Sequence, residues 1–259
     1  MLPFLDLGFI KLPMYGLMGA LGTIFAILIA YLTKNRYNIK KDDVLYSACF
    51  AGIGVLVGSK LLYIIVTLPH IIENYEFYSS DKEAMLYSLF SGYVFYGGLI
   101  GGIIAGMVYG KIFKINPIKL VDIYAPLIPL IHGFGRIGCF FAGCCYGAPS
   151  EKYGVYFEAL GGAPQGVKLF PIQLVEAGIN FVVFAVLMVL AIKKVFKLGG
   201  ITGAYLSVYA IERFILEFFR YDSIRGGLLG ISTSQWISII LFPIGISLIL
   251  FGEKIFKEK

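Results

Sequence analysis

Lys60, Arg136, Glu176, Arg213 and Glu217 carry charge inside otherwise apolar stretches of the chain. Within lipid each such group costs on the order of 3 kcal/mol unless it is paired or faces a wet cavity, so these positions mark either staples between helices or a site. Arg136 and Arg213 offer two forked donors, the geometry that grips a phosphate. Glu217 follows Arg213 by one helical turn, the spacing at which a carboxylate pairs with it. The chemistry these residue types allow is recognition of a phosphodiester at headgroup depth. Stapling is the competing reading, most of all for Lys60, Glu176 and Glu217.

The stretch around Arg136 reads HGFGRIGCFFAGCCYG over residues 132–147. Gly133, Gly135 and Gly138 surround the arginine and leave backbone accessible where an apolar run ends, which membranes tolerate where the chain lines a cavity. A plain kink is the alternative. His132 is a candidate base or a histidine satisfied in the core. Cys139, Cys144 and Cys145 follow a C-x4-C-C spacing, unlike the paired ligands of zinc sites, so no metal and no cofactor is expected. A disulfide from Cys139 to Cys144 or Cys145 fits an outer face, as do free thiols packed as apolar groups. Cys49 reads as core. Gly98, Gly102 and Gly106 recur every four residues and read as a face for close helix approach. Tyr96 and Tyr15 sit at span ends, where tyrosines also collect as an interfacial belt.

The elements that must position these residues follow from composition. Of 259 residues 58% are hydrophobic and 15% charged, with a mean hydropathy of +0.83. A soluble domain needs more polar surface than this, so the solvent is lipid. A hydrocarbon core about 30 Å thick takes roughly 20 apolar residues as a helix, and only helices or closed barrels satisfy the backbone there. Seven stretches qualify, at about 13–33, 45–67, 93–112, 119–140, 171–192, 200–219 and 233–251. The expected fold is an all-α membrane protein of seven transmembrane helices, forming a single domain over 1–259 with an interfacial segment at 1–11 and long outer loops at about 68–92 and 141–170. The N-terminal stretch lacks a basic region before its apolar run and carries Asp6, so it does not read as a cleaved signal.

Loop charges set the orientation. Lys34, Arg36, Lys40, Lys41, Lys111, Lys114, Lys119, Lys193, Lys194, Lys197, Lys254, Lys257 and Lys259 fall on one side, thirteen in all. Six fall on the other, namely Lys11, Lys82, Lys152, Lys168, Arg220 and Arg225, mixed with Glu73, Glu76, Asp81, Glu83, Glu151, Glu158 and Asp222. The positive-inside bias puts the N-terminus outside and the C-terminus in the cytoplasm. It also accounts for the net charge of +6 without any nucleic-acid partner. With this orientation the intramembrane charges crowd into the outer half of the bilayer. Arg213 lies about 20 Å from the inner end of its span at 1.5 Å per residue.

Several landmarks together resemble the prolipoprotein diacylglyceryl transferase family over nearly the whole chain. They are Tyr15-Gly16-Leu17-Met18, Gly58-Ser59-Lys60-Leu61, Tyr96-Gly97-Gly98-Leu99-Ile100-Gly101, and Gly135-Arg136-Ile137-Gly138 with Gly143 and Gly147. Pro171-Ile172-Gln173-Leu174-Val175-Glu176 and then Arg213-Phe214, Glu217-Phe218 and Arg220 complete the series. The resemblance implies transfer of a diacylglyceryl group from phosphatidylglycerol to the lipobox cysteine thiol of a preprolipoprotein. Such an enzyme works in the bacterial cytoplasmic membrane, with its active site toward the outer leaflet. By the match, Arg136 binds the headgroup, Arg213 assists departure of the phosphate and Glu217 holds Arg213. Gln173 and Glu176 shape the headgroup site, Tyr15 lines the cavity, and Lys60 and Gly138 contribute to substrate binding.

This chain looks like a cysteine-rich variant of the family. Tyr96-Gly97-Gly98 stands where the family often has His-Gly-Gly, and an imidazole accepts a proton near neutral pH where a phenolic side chain does not. After Arg136 the family pattern Gly-Asn-Phe-x-Asn-Gly-Glu becomes Gly138-Cys139-Phe140-Phe141-Ala142-Gly143-Cys144. Tyr96 stays a candidate catalytic residue by its position, and the proton acceptor is then open among His132, Glu176 and water. Two other functions compete: a related headgroup or glyceryl transferase with a different acceptor, and a lipid transporter. Transport is disfavoured because the charges mark no path inward and no inverted repeat is visible.

Overall fold

The computed structural model describes residues 3–33, 39–157, 162–221 and 227–256. Lys34, Arg36, Glu158, Asp222, Arg225, Lys257 and Lys259, used above in counting loop charges, lie outside the described residues. The long helices are α1 (Met14–Thr33), α2 (Lys41–Glu73), α5 (Phe95–Ile112), α8 (Ile172–Ile192), α9 (Gly200–Leu216) and α10 (Thr233–Phe256). Shorter ones are α3 (Tyr75–Ser80) and α4 (Lys82–Phe90), and α6 (Pro117–Tyr124) runs through a 3-10 turn into α7 (Ile128–Ala142). Among the described residues five helical stretches are long and apolar enough to cross a membrane: Met14–Thr33, Lys41–Glu73, Pro117–Ala142, Ile172–Ile192 and Thr233–Phe256.

The structure departs from several sequence expectations; Cys49, expected in the core, is exposed. The 68–92 connection is mostly helix, since α2 runs on through Pro69 to Glu73 and α3 and α4 follow directly. Its 33 residues span about 50 Å, well beyond the hydrocarbon thickness. Three small antiparallel hairpins also interrupt the helices. They pair β1 (Phe4–Asp6) with β2 (Lys11–Pro13), β3 (Val155–Tyr156) with β4 (Lys168–Leu169), and β5 (Gly227–Leu228) with β6 (Ile231–Ser232). The first hairpin is the form taken by the expected interfacial segment.

The chain divides into two compact units, residues 39–120 and the remainder. In the 39–120 unit α2 and α5 pack antiparallel. A Cβ at Gly54 or Gly58 would run into the carbonyls of Gly101 or Gly97, and the reverse holds for Gly97 and Gly101. The backbones meet along Gly97 and Gly101, beside Gly98 and Gly102 of the expected series. Gly98 and Gly102 lie against Val55, and Gly106 has open space. Spacing of four marked a close approach correctly but matched two parallel stripes, and the crossing of the helices selects between them.

In the other unit, α1 packs on α7 and α7 on α8, again through glycines. A Cβ at Gly22 would sit 2.9 Å from the Phe134 Cβ, and one at Gly133 would sit 2.7 Å from the Phe181 ring. Ala125, Leu187, Ala191, Ile201, Ala204 and Tyr205 form a buried core where the 3-10 turn meets α8 and α9. Asp122 organises the start of α9. Its Oδ2 accepts from the Gly199 N–H at 2.7 Å, and its Oδ1 accepts from the Thr202 N–H at 3.2 Å and from the Thr202 hydroxyl. A buried carboxylate thus serves as the helix cap from a distant part of the chain, satisfying donors that a first turn leaves orphaned.

Candidate functional site

Helix α7 carries His132, Arg136 and Cys139 at spacings of four and three, which places them on one face. Arg136 Nη2 lies 2.8 Å from Glu176 Oε1 on α8, and Arg136 Nε donates to His132 Nε2 at 3.1 Å. The same Glu176 oxygen lies 3.7 Å from Arg213 Nη1 on α9 and 3.7 Å from His132 Nε2. Arg213 Nη2 meets Glu217 Oε2 at 3.0 Å and the Ser234 hydroxyl, at the start of α10, at 3.2 Å. Four helices thus converge on two guanidiniums joined by one carboxylate.

Burial makes these contacts count. The Glu176 side chain is 2% exposed, and those of Arg136 and Arg213 are each 12% exposed. Removing one partner of such a buried pair costs about 3–5 kcal/mol because the other charge is left behind. The cluster is still incompletely satisfied: Arg213 Nη1 and Gln173 Oε1 have no hydrogen-bond partner among the described residues. Buried polar atoms without partners are uncommon, so these two mark where the cluster's hydrogen bonding is incomplete.

Gln173 is fully buried at the start of α8 and donates to the Cys144 carbonyl at 2.7 Å, tying α8 to the turn after α7. That turn closes α7. Gly143 adopts φ 72°, its N–H returns to the Phe140 carbonyl, and the Cys144 N–H returns to the Cys139 carbonyl at 3.2 Å. This is a Schellman closure, and it needs glycine at the left-handed position. Beyond it, Phe157, Ala163 and Leu169 form a small buried cluster with Phe140, Tyr146 and Val155, so these described residues of the 143–171 stretch are packed rather than loose.

The other residues picked out from sequence fall as follows. Gly138 packs against α1, where a Cβ would sit 3.0 Å from the Tyr15 Cα, so its role in the structure is to let α7 approach. Tyr15, at the start of α1, is 56% exposed. Lys60 belongs to the 39–120 unit. Its Nζ donates to the Phe90 carbonyl at 2.6 Å and the Gly92 carbonyl at 3.0 Å, and it lies 4.3 Å from the centroid of the Tyr93 ring. That is a clamp on the turn before α5. Tyr96 begins α5 in the same unit and is 42% exposed.

Glu212, Asn180 and Ser234 are partners that the sequence reading passed over. Asn180 Nδ2 donates to the Glu176 carbonyl at 2.8 Å and to Glu212 Oε1 at 2.7 Å, linking α8 to α9. Glu212 stands in the same apolar run as Arg213, and a count of acids there finds it. For Asn180 and Ser234 the sequence carries no comparable signal, because neutral polar residues are ordinary in membrane helices. The three thiols of Cys139, Cys144 and Cys145 also converge, with all Sγ atoms within 4.8 Å of one another.

The family model for prolipoprotein diacylglyceryl transferase matches residues 3–251. The chain is 37% identical to the phosphatidylglycerol–prolipoprotein diacylglyceryl transferase of Clostridium tetani, over 92% of each chain. It is 34% identical to the second such enzyme of Clostridium perfringens, over 92% of this chain and 90% of that one. With the corresponding protein of Dehalococcoides mccartyi it shares 30% identity over 98% of this chain and 94% of its relative. A family match spanning nearly every residue, with relatives similar from end to end, means that this chain belongs to the prolipoprotein diacylglyceryl transferase family.

Proposed function

We propose that this membrane-embedded, multi-pass protein is a transferase that moves the diacylglyceryl group of phosphatidylglycerol onto the lipobox cysteine of preprolipoproteins. The observation that carries the reading is the buried pair of guanidiniums, Arg136 and Arg213, held within 2.8 and 3.7 Å of one Glu176 oxygen. In the reaction the cysteine thiolate forms a C–S bond to the glyceryl carbon. The C–O bond to the phosphate breaks, and glycerol phosphate departs with the electron pair. The thiol proton passes to an acceptor. Preorganised cations aimed at the leaving oxygen lower the barrier because the charge appears there only in the transition state.

Arg136 holds the headgroup phosphate while Glu176 and His132 fix its guanidinium plane, and Gln173 shapes the headgroup site through its unpartnered Oε1. Arg213 offers Nη1, which makes no hydrogen bond, to the departing phosphate, and is held from behind by Glu217 and Ser234. His132 acts by positioning, since its Nε2 lone pair is taken up by Arg136. An apolar groove of about 430 Å³, lined by Ala210, Ile211, Phe214 and Ile215 of α9 and Ser238, Ile239 and Phe242 of α10, suits an acyl chain of the donor. Its α9 lining flanks Arg213 in the chain, with Ala210 and Ile211 before it and Phe214 and Ile215 after it.

The same reading takes the chain as one domain of seven spans in the bacterial cytoplasmic membrane, with the N-terminus outside. The 17-residue α9, extended by the 3-10 turn at Glu217–Phe219, and the 18-residue α5 supply the two spans beyond the five longest. Complementation tests the function. In a strain depleted of its own transferase, the wild-type chain is expected to restore thioether-linked lipoprotein, and Arg136→Ala and Arg213→Ala are not. An unchanged lipoprotein profile with altered phospholipid would instead favour a transferase with another acceptor.

A further inference from the structure

The C-x4-C-C spacing does not match the paired ligands of zinc sites, but the fold changes the reading. Cys139 is buried on the last turns of α7, while Cys144 and Cys145 follow the helix and are half-buried. The chain reverses at Gly143, φ 72°, and Cys145 itself takes a left-handed backbone, φ 62°. A non-glycine residue in that region is uncommon. Here the two left-handed residues, one on each side of Cys144, turn the chain back so that the thiols of 144 and 145 reach Cys139. All three Sγ atoms lie within 4.8 Å of one another, and none is in a disulfide.

From this convergence we propose that Cys139, Cys144 and Cys145 form a three-thiolate site for one soft, closed-shell metal ion, Cu(I) or Zn(II). Metal–sulfur bonds of about 2.3 Å set ligand sulfurs roughly 3.8–4.0 Å apart, so small side-chain rotations from the present geometry close the site. Soft thiolates select ions of this class, and oxygen-loving cations such as Mg(II) are excluded. Three sulfurs complete a trigonal shell for Cu(I). For Zn(II) they leave a fourth position for water or another exogenous ligand. The three thiol protons leave to solvent on binding.

The number of thiols argues against a disulfide as the purpose of the cluster, since a two-electron oxidation of any pair strands the third. The location is also specific. The Cys144 carbonyl accepts from Gln173, so an ion held by the turn fixes it against the start of α8. This site stands independently of the transferase reading, because metal binding is measured without any lipid substrate.

The test uses the full chain purified in detergent under anaerobic, reducing conditions. It is titrated with Zn(II) in one arm and with Cu(I) buffered by a chromophoric chelator in the other. The expected result is one ion per chain in at least one arm. Cys139→Ser, Cys144→Ser and Cys145→Ser each weaken affinity tenfold or more, and Cys49→Ser leaves it unchanged. X-ray absorption of the loaded wild type, which depends on no variant, should give three sulfurs at about 2.3 Å. No stoichiometric binding in either arm, fewer than three sulfurs, or affinity unmoved by Cys139→Ser overturns the proposal. So does a chain isolated without added reductant that has lost two hydrogens and keeps one reactive thiol of the three, since that is a disulfide pair.

Discussion

At the scale of single residues, Glu176 Oε1 decides how the two arginines are held, because it touches both. A lysine at 136 keeps one positive charge near that oxygen but loses the fork that contacts His132 and Glu176 together. Arg136→Lys is therefore expected to fold, with a detergent melting temperature within a few degrees of wild type, and to lose transfer activity by about 100-fold, roughly 2.7 kcal/mol. An in vitro assay with phosphatidylglycerol vesicles and a lipobox peptide reads this. Full activity in Arg136→Lys would mean that only charge matters at this position. Tyr96 offers a second residue-scale test. Replacing it by histidine restores the residue type that the family often has there and supplies a group that accepts protons near neutral pH. Tyr96→His is expected to raise the rate several-fold at pH 7, where Tyr96→Phe does not. Equal rates for the two variants would remove position 96 from proton transfer.

Elements present these residues through their ends more than through their middles. Helix α7 finishes in a glycine-dependent turn, α8 starts with buried Gln173 tied to that turn, and α9 starts on the Asp122 carboxylate. Three donors, the Gly199 and Thr202 N–H groups and the Thr202 hydroxyl, lose their acceptor in Asp122→Ala. A cost of about 1–3 kcal/mol attends each buried group left unsatisfied, so a total near 3 kcal/mol is expected after partial relaxation. Thermal unfolding in detergent checks this. Because Asp122 is remote in sequence from the start of α9, a loss of stability in this variant also reports the long-range cap. A melting temperature unchanged from wild type would mean that water replaces the carboxylate freely.

For the molecule as a whole, the proposed orientation has a direct consequence. Ser79 and Lys194 are both exposed, and the charge bias assigns them to opposite sides of the membrane. In intact spheroplasts a membrane-impermeant maleimide should label Ser79→Cys above the parental background. It should label Lys194→Cys only after permeabilisation. The reverse pattern would turn the chain over and move the arginine cluster toward the inner leaflet. That outcome is incompatible with modification of substrates that are exported across the membrane.

Much of this protein is written in local pattern. The lipid solvent follows from bulk composition, and the helices follow from apolar runs that leave the backbone no other way to pair. Arg213 and Glu217 declared their pairing through a one-turn spacing, which is why the sequence reading and the structure agree on it. Other features depend on how helices cross and how turns fold back, which no local period encodes. Glu176 bridges two arginines from different helices, Asn180 ties α8 to Glu212, and Lys60 turns out to hold the Phe90 and Gly92 carbonyls. The choice of Gly97 and Gly101 over their neighbours was likewise made by the crossing of α2 and α5. Three cysteines at an uninformative spacing became a cluster only because two left-handed residues reverse the chain after α7. Spacing governs what can meet along one element, and tertiary structure governs what meets between elements.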